Sequence, residues 1–362
     1  MMFKRIFPIL VLSLFLGTTV QVIVLVQAVD YADGPEPIGT WDSSDSLASV
    51  EGIALNDNYA YLALSGFGVQ ILDVSDPTNP QEVNSFELEG EAKTIVYANN
   101  KIYVGVSSEL MIFDVQNPMS PSSVANISQH STVYDIAVVG SYIYIADHSG
   151  SLMIATELAG NLYPLLPFAN DYWCFGVVVA GDYACTATSA QGLVIWDISN
   201  KSAPAVVGTA ATDENAYSIA SYGENKVVVG GSEGYLGVFD ISSKTNPSLL
   251  GSVTVTSDIM EIQVHEDTAI AADFMDGIVT LDLSFDSPSP GNRLLPDGER
   301  GHTVEINDQY IYGGMGFSGL MIWDINEAIG SLDIGLPASA FVLIGLSASV
   351  TLVFFRRKRA KD

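Results

Sequence analysis

From about residue 50 to residue 326 the chain alternates short apolar runs with polar turns, and one run keeps returning. Val69-Gln70-Ile71-Leu72-Asp73, Leu110-Met111-Ile112-Phe113-Asp114, Leu193-Val194-Ile195-Trp196-Asp197, Leu236-Gly237-Val238-Phe239-Asp240, Ile278-Val279-Thr280-Leu281-Asp282 and Leu320-Met321-Ile322-Trp323-Asp324 each end an apolar body on Asp. A degenerate copy, Leu152-Met153-Ile154-Ala155, falls between the second and third, with Ala155 read in the place of the Asp. Seven units of about 42 residues are the signature of a β-propeller. Within a unit the pattern predicts four short strands: Gly52–Leu55, a polar turn, Tyr59–Leu64, a glycine turn, the signature run, then a Pro-marked loop and a fourth strand. The predicted fold is all-β, a seven-bladed propeller of four-stranded blades.

The last unit lacks a fourth strand after Asp324-Ile325-Asn326. An open ring would leave an unpaired edge able to aggregate. Pro37-Ile38-Gly39-Thr40-Trp41 matches the fourth strands Pro204–Thr209 and Pro247–Ser252, so Ile38 to Trp41 is predicted to complete the seventh blade and close the ring.

Gly68–Pro80, with its Val69-Gln70-Ile71-Leu72-Asp73 core and Asp76-Pro77, and Gly192–Ser199 resemble the LVIVD repeat of prokaryotic surface propellers. The resemblance spans about residues 36–326 and departs in the third unit, which has no Asp-Pro loop. It implies a secreted or surface-anchored propeller and transfers no catalytic residue.

The two ends read differently. Residues 1–28 carry Lys4-Arg5, a long apolar run and a small-residue exit at Ala28, the form of a signal peptide or an uncleaved signal anchor. After a linker at 327–337, Ala338 to Phe355 is apolar enough for a transmembrane helix, and 356–362 form a basic tail expected on the cytoplasmic side. The propeller is then expected outside, on the cell membrane, as a single-pass protein.

Charge sharpens this picture. The net charge is −28, but half of the 14 basic residues lie in the two ends, so Val29–Gly335 holds 7 Lys and Arg against 41 Asp and Glu, 7 − 41 = −34. Such a field excludes nucleic acid as a partner and attracts cations. With 48% hydrophobic residues, the chain is no disordered tail either.

The recurring Asp73, Asp114, Asp197, Asp240, Asp282 and Asp324 are assigned to turns, because a turn is rebuilt in every blade and a catalytic site only once. Gly192, Gly234, Gly277 and Gly319 fit hairpin turns needing positive φ. Candidate binding residues are the blade-specific ones in the loops of one face: Phe67, His148, Trp173, Tyr235, Phe274 and Phe317. Aromatic rings there suit a protein or glycan partner at the cell surface. The alternative is a propeller hydrolase or lyase with a metal drawn from His130, His148, His302, Asp147, Glu51, Asp135 and Glu261; a purely structural coat component is a third reading. No pair of histidines has a metal-ligand spacing, His265 falls on the opposite face, and no catalytic motif is present. No cofactor is expected, and calcium only weakly, since no dedicated calcium loop occurs. Cys174 and Cys185 are predicted to be free, from a register that pairs Ala180 with Tyr183 and Val178 with Cys185. Asn126 and Asn200 stand in glycosylation triplets.

Overall fold

The computed structural model describes residues 32–43, 47–128, 131–148, 151–158, 161–167, 173–285, 287–294, 299–329, 345–346 and 349–350. Seven sheets follow one another around a ring. Blade 1 is Val50–Asn56, Tyr59–Leu64, Gly68–Asp73 and Gln81–Phe86; blade 2 is Ala92–Ala98, Lys101–Val106, Glu109–Asp114 and Ser122–Ser128. Blades 3, 4 and 5 have inner strands Val133–Val139, Cys174–Ala180 and Ala216–Tyr222, and blade 6 has Ile259–His265. In blades 1 to 5 neighbouring strands pair antiparallel in sequence order, as tight turns between short strands require.

The seventh blade joins Thr303–Ile306, Tyr310–Gly314 and Leu320–Asp324 to Gly39–Trp41 from the other end of the chain. Gly39 pairs with Ile322, Thr40 with Met321 and Trp41 with Leu320. Ile38 donates its N–H to the Ile322 carbonyl at 2.7 Å. This is the closure that the sequence predicts. The Trp41 ring is buried, and its Nε1–H donates across the seam to Glu82 at 3.0 Å.

The fold reaches further than residues 36–326 at both ends. Ala32–Asp33 lies parallel to the outer strand Ser289–Arg293 and adds a fifth strand to blade 6. At the other end a short helix, Ile325–Ile329, continues the signature strand of blade 7. Ile325 and Ala328 are buried with Ile270, Ile278 and Trp323, and the Asn292 amide donates to the Ala328 carbonyl at 2.8 Å. The first turn of the expected linker therefore belongs to the propeller.

Blade 3 also corrects the sequence reading. Tyr142 pairs with Thr156, as Tyr183 pairs with Asp197, so Thr156 holds the turn position and Ala155 the place of the preceding aromatic. The strand runs on to Leu158 and meets Asn161–Pro167 directly, without the Asp-Pro loop.

The core lies between blades. One cluster combines Tyr61 and Ile71 of blade 1 with Ile95, Ile102 and Val104 of blade 2; another joins Leu193 and Ile195 of blade 4 to Val227, Val229 and Phe239 of blade 5. No blade buries its faces alone, so cohesion comes from stacked neighbours.

The predicted signal segment and basic tail lie outside the described residues, as does most of the predicted membrane helix. Its four described residues, Gly345–Leu346 and Ser349–Val350, pair as two short antiparallel strands rather than a helix. Among the described residues no helix is long and apolar enough to cross a membrane.

Candidate functional site at the channel mouth

One irregularity recurs in the inner strands. In blades 1 to 6 the register shifts between the first and third residues, for example between Val133 and Asp135 and between Cys174 and Gly176. A bulge leaves its extra residue unpaired and re-aims its side chain. The unpaired residues are Glu51, Lys93, Tyr134, Phe175, Tyr217 and Met260, and in blade 7 the equivalent place before Thr303 falls to His302. Because the inner strands line the central channel, the six bulges and His302 of blade 7 set seven side chains around its mouth.

The seven are unlike one another and segregate by type. Tyr134, Phe175 and Tyr217, from three consecutive blades, form an aromatic crescent. Tyr134 and Phe175 meet edge to face with centroids 4.8 Å apart, and Phe175 meets Tyr217 likewise at 5.1 Å. His148 packs against Tyr134 at 5.4 Å and stacks on Trp173 at 4.5 Å, which carries the crescent outward onto the loop face. Trp173 is 52% exposed. Burial raises the Tyr217 hydroxyl above its ordinary pKa, with the nearby Asp258 carboxylate adding to the effect.

The opposite arc is ionic. His302 Nδ1 lies 3.3 Å from Glu51 Oε1, and Lys93 Nζ lies 3.5 Å from Glu91. Burial alone would raise the Glu51 pKa, but the hydrogen bonds to His302 and Ser49 together with the charges of His302 and Lys93 outweigh it and hold the carboxyl below its usual range.

Below the mouth the channel wall carries three acids without a cation beside them. Asp135 accepts N–H groups from Ile136 at 2.7 Å and from Val177 of the next blade at 2.8 Å. Glu261 accepts the Thr303 hydroxyl and the Val304 N–H, the latter at 3.1 Å. Glu305 accepts from Gln263 at 3.1 Å. These bonds tie inner strands of adjacent blades together where sheet edges would otherwise leave donors open. All three keep some exposure along the channel, yet protein surrounds them. Burial pushes Asp135 up to about 6, Glu305 to about 7 and Glu261 to about 8, with mutual repulsion among the three adding to the last two.

The structure treats the six sequence candidates unequally. His148 and Trp173 come together in the crescent. Phe67 is half-buried against the apolar end of blade 1, and Phe274 is half-buried against His302 at 5.5 Å, with Arg300 over its ring at 4.8 Å. Phe317 is exposed by itself at 62%. Tyr235 is a correction: it is 3% exposed and packs between blades 4 and 5, so no surface partner reaches it. Its position opens the signature strand, which is buried from Tyr235 through Phe239, and the loop reading overlooked that. The metal constellation does not assemble. His302 and Glu51 stand on the ionic arc, His148 in the crescent, and Asp147 is buried beneath the loops with Ser131 as donor at 3.0 Å. His130 lies outside the described residues. Among the described residues no group of three or more His, Cys, Asp or Glu is placed to hold a metal ion.

The signature Asp residues behave alike. Asp73, Asp114, Asp197, Asp240, Asp282 and Asp324 each accept the backbone N–H two residues on, at 2.7 to 2.9 Å. The turn glycines have φ of +71 at Gly192, +74 at Gly234 and Gly277, and +82 at Gly319. Val178 pairs with Cys185 and Cys174 with Thr188, and both thiols are buried and unbridged. Asn126 and Asn200 are exposed, the latter accepting the Ser202 N–H at 3.1 Å.

A hollow of about 680 Å³ opens on the opposite face among Asn56, Tyr97, Asn307 and Tyr312. Its polar groups bond one another, Asn56 to Tyr97 at 3.0 Å and Asn307 to Tyr312 at 3.4 Å, which makes it a seam between turns rather than a waiting site.

The architecture and the differentiated mouth define a seven-bladed β-propeller. The LVIVD repeat profile matches residues 49–87, 89–128, 132–155, 175–212 and 215–255, half of the chain, and the protein belongs to that family. The match covers blades 1 to 5; blades 6 and 7 repeat the same strands without being matched. Among solved structures the chain is similar to the computationally designed Ika8 protein, at 10% identity over 81% of this chain and 100% of that one, with a TM-score of 0.59. A chain of the mitotic checkpoint complex is similar at 12% identity over 85% and 99%, with a TM-score of 0.65. At such identities the likeness is one of fold. No curated protein matches significantly.

Proposed function

We propose that this propeller is an extracellular, membrane-anchored binding or scaffold module that engages a protein or glycan partner with the loop face around its channel mouth. The observation that carries this reading is the inner-strand bulge: one position, bulged in blades 1 to 6 and held by His302 in blade 7, is filled by differing side chains, and its aromatic members are contiguous with exposed Trp173. Repetition accounts for the scaffold, and departure from repetition is the mark of a site. Placement outside the cell rests on the N-terminal apolar run, on Ala338 to Phe355 and on the basic residues after it.

Two experiments test the reading. The full-length protein and a Trp173→Ala variant are used to recover partners from cell-surface extracts, with and without calcium. A partner retained by the first and lost by the second is expected, and equal recovery by both sinks the assignment of this face. Protease treatment of intact cells is expected to remove the propeller and spare the basic tail; complete protection of the propeller rules out the surface location.

A further inference from the structure

The aromatic crescent lies at the channel mouth, continuous with exposed Trp173. Elsewhere the chain's own few basic residues lie over half-buried rings: Lys201 lies over Tyr142 at 5.7 Å, Lys226 over Tyr222 at 5.4 Å, Lys244 over Tyr183 at 5.6 Å and Arg300 over Phe274 at 4.8 Å. Among the described residues none lies over Tyr134, Phe175, Tyr217 or Trp173. The sequence supplies none locally, since no Lys or Arg occurs between Lys101 and Lys201, or between Lys201 and Lys226. What surrounds the crescent is acidic. Asp213 and Glu214 are exposed in the loop entering blade 5, Glu233 follows in the next loop of that blade, and Asp258 donates its field to Tyr217 and accepts the Glu233 N–H at 2.9 Å. Asp135 stands directly after Tyr134 on the channel wall.

Resting on the reading of this face as a binding surface, we infer that its partner is a basic polypeptide segment, which places a Lys or Arg side chain against Tyr134, Phe175 and Tyr217 while Asp213, Glu214, Glu233 and Asp258 face the segment's remaining charges. Three features select a cation over other guests. Aromatic faces attract cations through the ring quadrupole, most strongly where water is displaced. The flanking carboxylates repel an anionic guest and add attraction for a cationic one. A cation at the crescent would also stand above the channel acids, which have no counter-charge of their own.

The test uses hexa-arginine as the probe and Trp173 as the reporter, because Trp41, Trp196 and Trp323 are all buried at 8% exposure or less. Titration at moderate salt is expected to give a saturable change in Trp173 emission. Phe175→Leu and Tyr217→Leu keep apolar volume but remove the π face, and each is expected to weaken binding by about tenfold. The exposed-loop double variant Asp213→Asn, Glu214→Gln leaves the packed rings untouched and is expected to weaken binding by several-fold, whereas Glu224→Gln, on the opposite face, leaves it unchanged. Equal affinity across all variants would mean attraction to net charge alone and overturns the inference. So does absence of binding. Chitohexaose is run alongside: if it binds through Trp173 and hexa-arginine does not, the cationic partner is wrong while the binding face stands. If neither probe binds and no extract partner depends on Trp173, both fall.

Discussion

Glu261 is held in a chemical state that its composition would not suggest. An exposed glutamate is ionised at neutral pH, but here burial raises the pKa to about 8, with Glu305 and Asp135 opposing ionisation further. The sign of the linkage follows. The folded form holds a proton that the unfolded form releases near the ordinary glutamate value of 4.5, so the stabilisation from this group is complete below that value and is lost as the pH rises through about 8. Glu305 and Asp135 act in the same direction over windows ending near 7 and 6. Thermal unfolding is expected to occur at progressively lower temperature from pH 5 to pH 9, and Glu261→Gln should flatten the upper part of that slope. For a chain of this size each kcal/mol appears as a Tm shift of roughly 2 °C or a little more. A wild-type Tm that rises across the range would contradict the assignment. At the same scale, Gly319→Ala puts a Cβ on a residue with φ of +82, within 2.0 Å of the Trp41 carbonyl oxygen. A loss of about 1–3 kcal/mol is expected in denaturant titration.

The strands and their turns were largely legible in the sequence, and the reason is periodic. A signature run of nearly continuous burial closed by Asp is written six times, so each copy corrects the reading of the others. The clasp was legible because Ile38–Trp41 imitates the fourth strands of blades 4 and 5. Legibility failed where a residue's role depends on something that no single repeat contains. Tyr235 looks like a loop aromatic until its strand packs against blade 4. The crescent residues Tyr134, Phe175 and Tyr217 were missed because a bulge, which alternation alone does not reveal, turns them to the mouth. The available signal was a column: lining up the seven inner strands sets Glu51, Lys93, Tyr134, Phe175, Tyr217, Met260 and His302 side by side as the position that varies most in chemistry. Ala32–Asp33 left no hydrophobic trace, since it is held by backbone pairing. The clasp itself makes an element-scale expectation. Trp41→Ala removes a buried ring and its bond to Glu82, and should cost about 3–5 kcal/mol, read as a lower urea midpoint. Deleting the chain through Trp41 should go further, exposing Leu320–Asp324 as a free edge and giving aggregates in size-exclusion chromatography.

Across the whole molecule the charge is unevenly spent. Lys101 is paired to Glu157, Lys201 and Lys244 bond the Ile198 and Ile241 carbonyls at 2.6 Å, and Arg293 meets Asp276 at 3.2 Å. The scarce cations are thus engaged with the fold, Lys101 linking blade 2 to blade 3, while many of the acids face solvent. Self-repulsion of this kind is screened by salt. Raising NaCl from low to physiological concentration is expected to increase the Tm, while weakening any hexa-arginine binding; a Tm that falls with salt would mean that the internal ion pairs outweigh the repulsion.

The clasp between Gly39–Trp41 and Leu320 also sets an order of events. Synthesis delivers the N-terminus first, yet the strand that residues 39–41 complete is among the last to emerge. Until then blade 7 has three strands, and the first-made segment has nothing to pair with. Early blades can stack as they appear, but the circle cannot be sealed before the final repeat is present, across the longest sequence separation in the molecule. A chain cut short by even one blade should therefore be recognisably unfinished, and its open end is a natural place for quality-control proteases to begin.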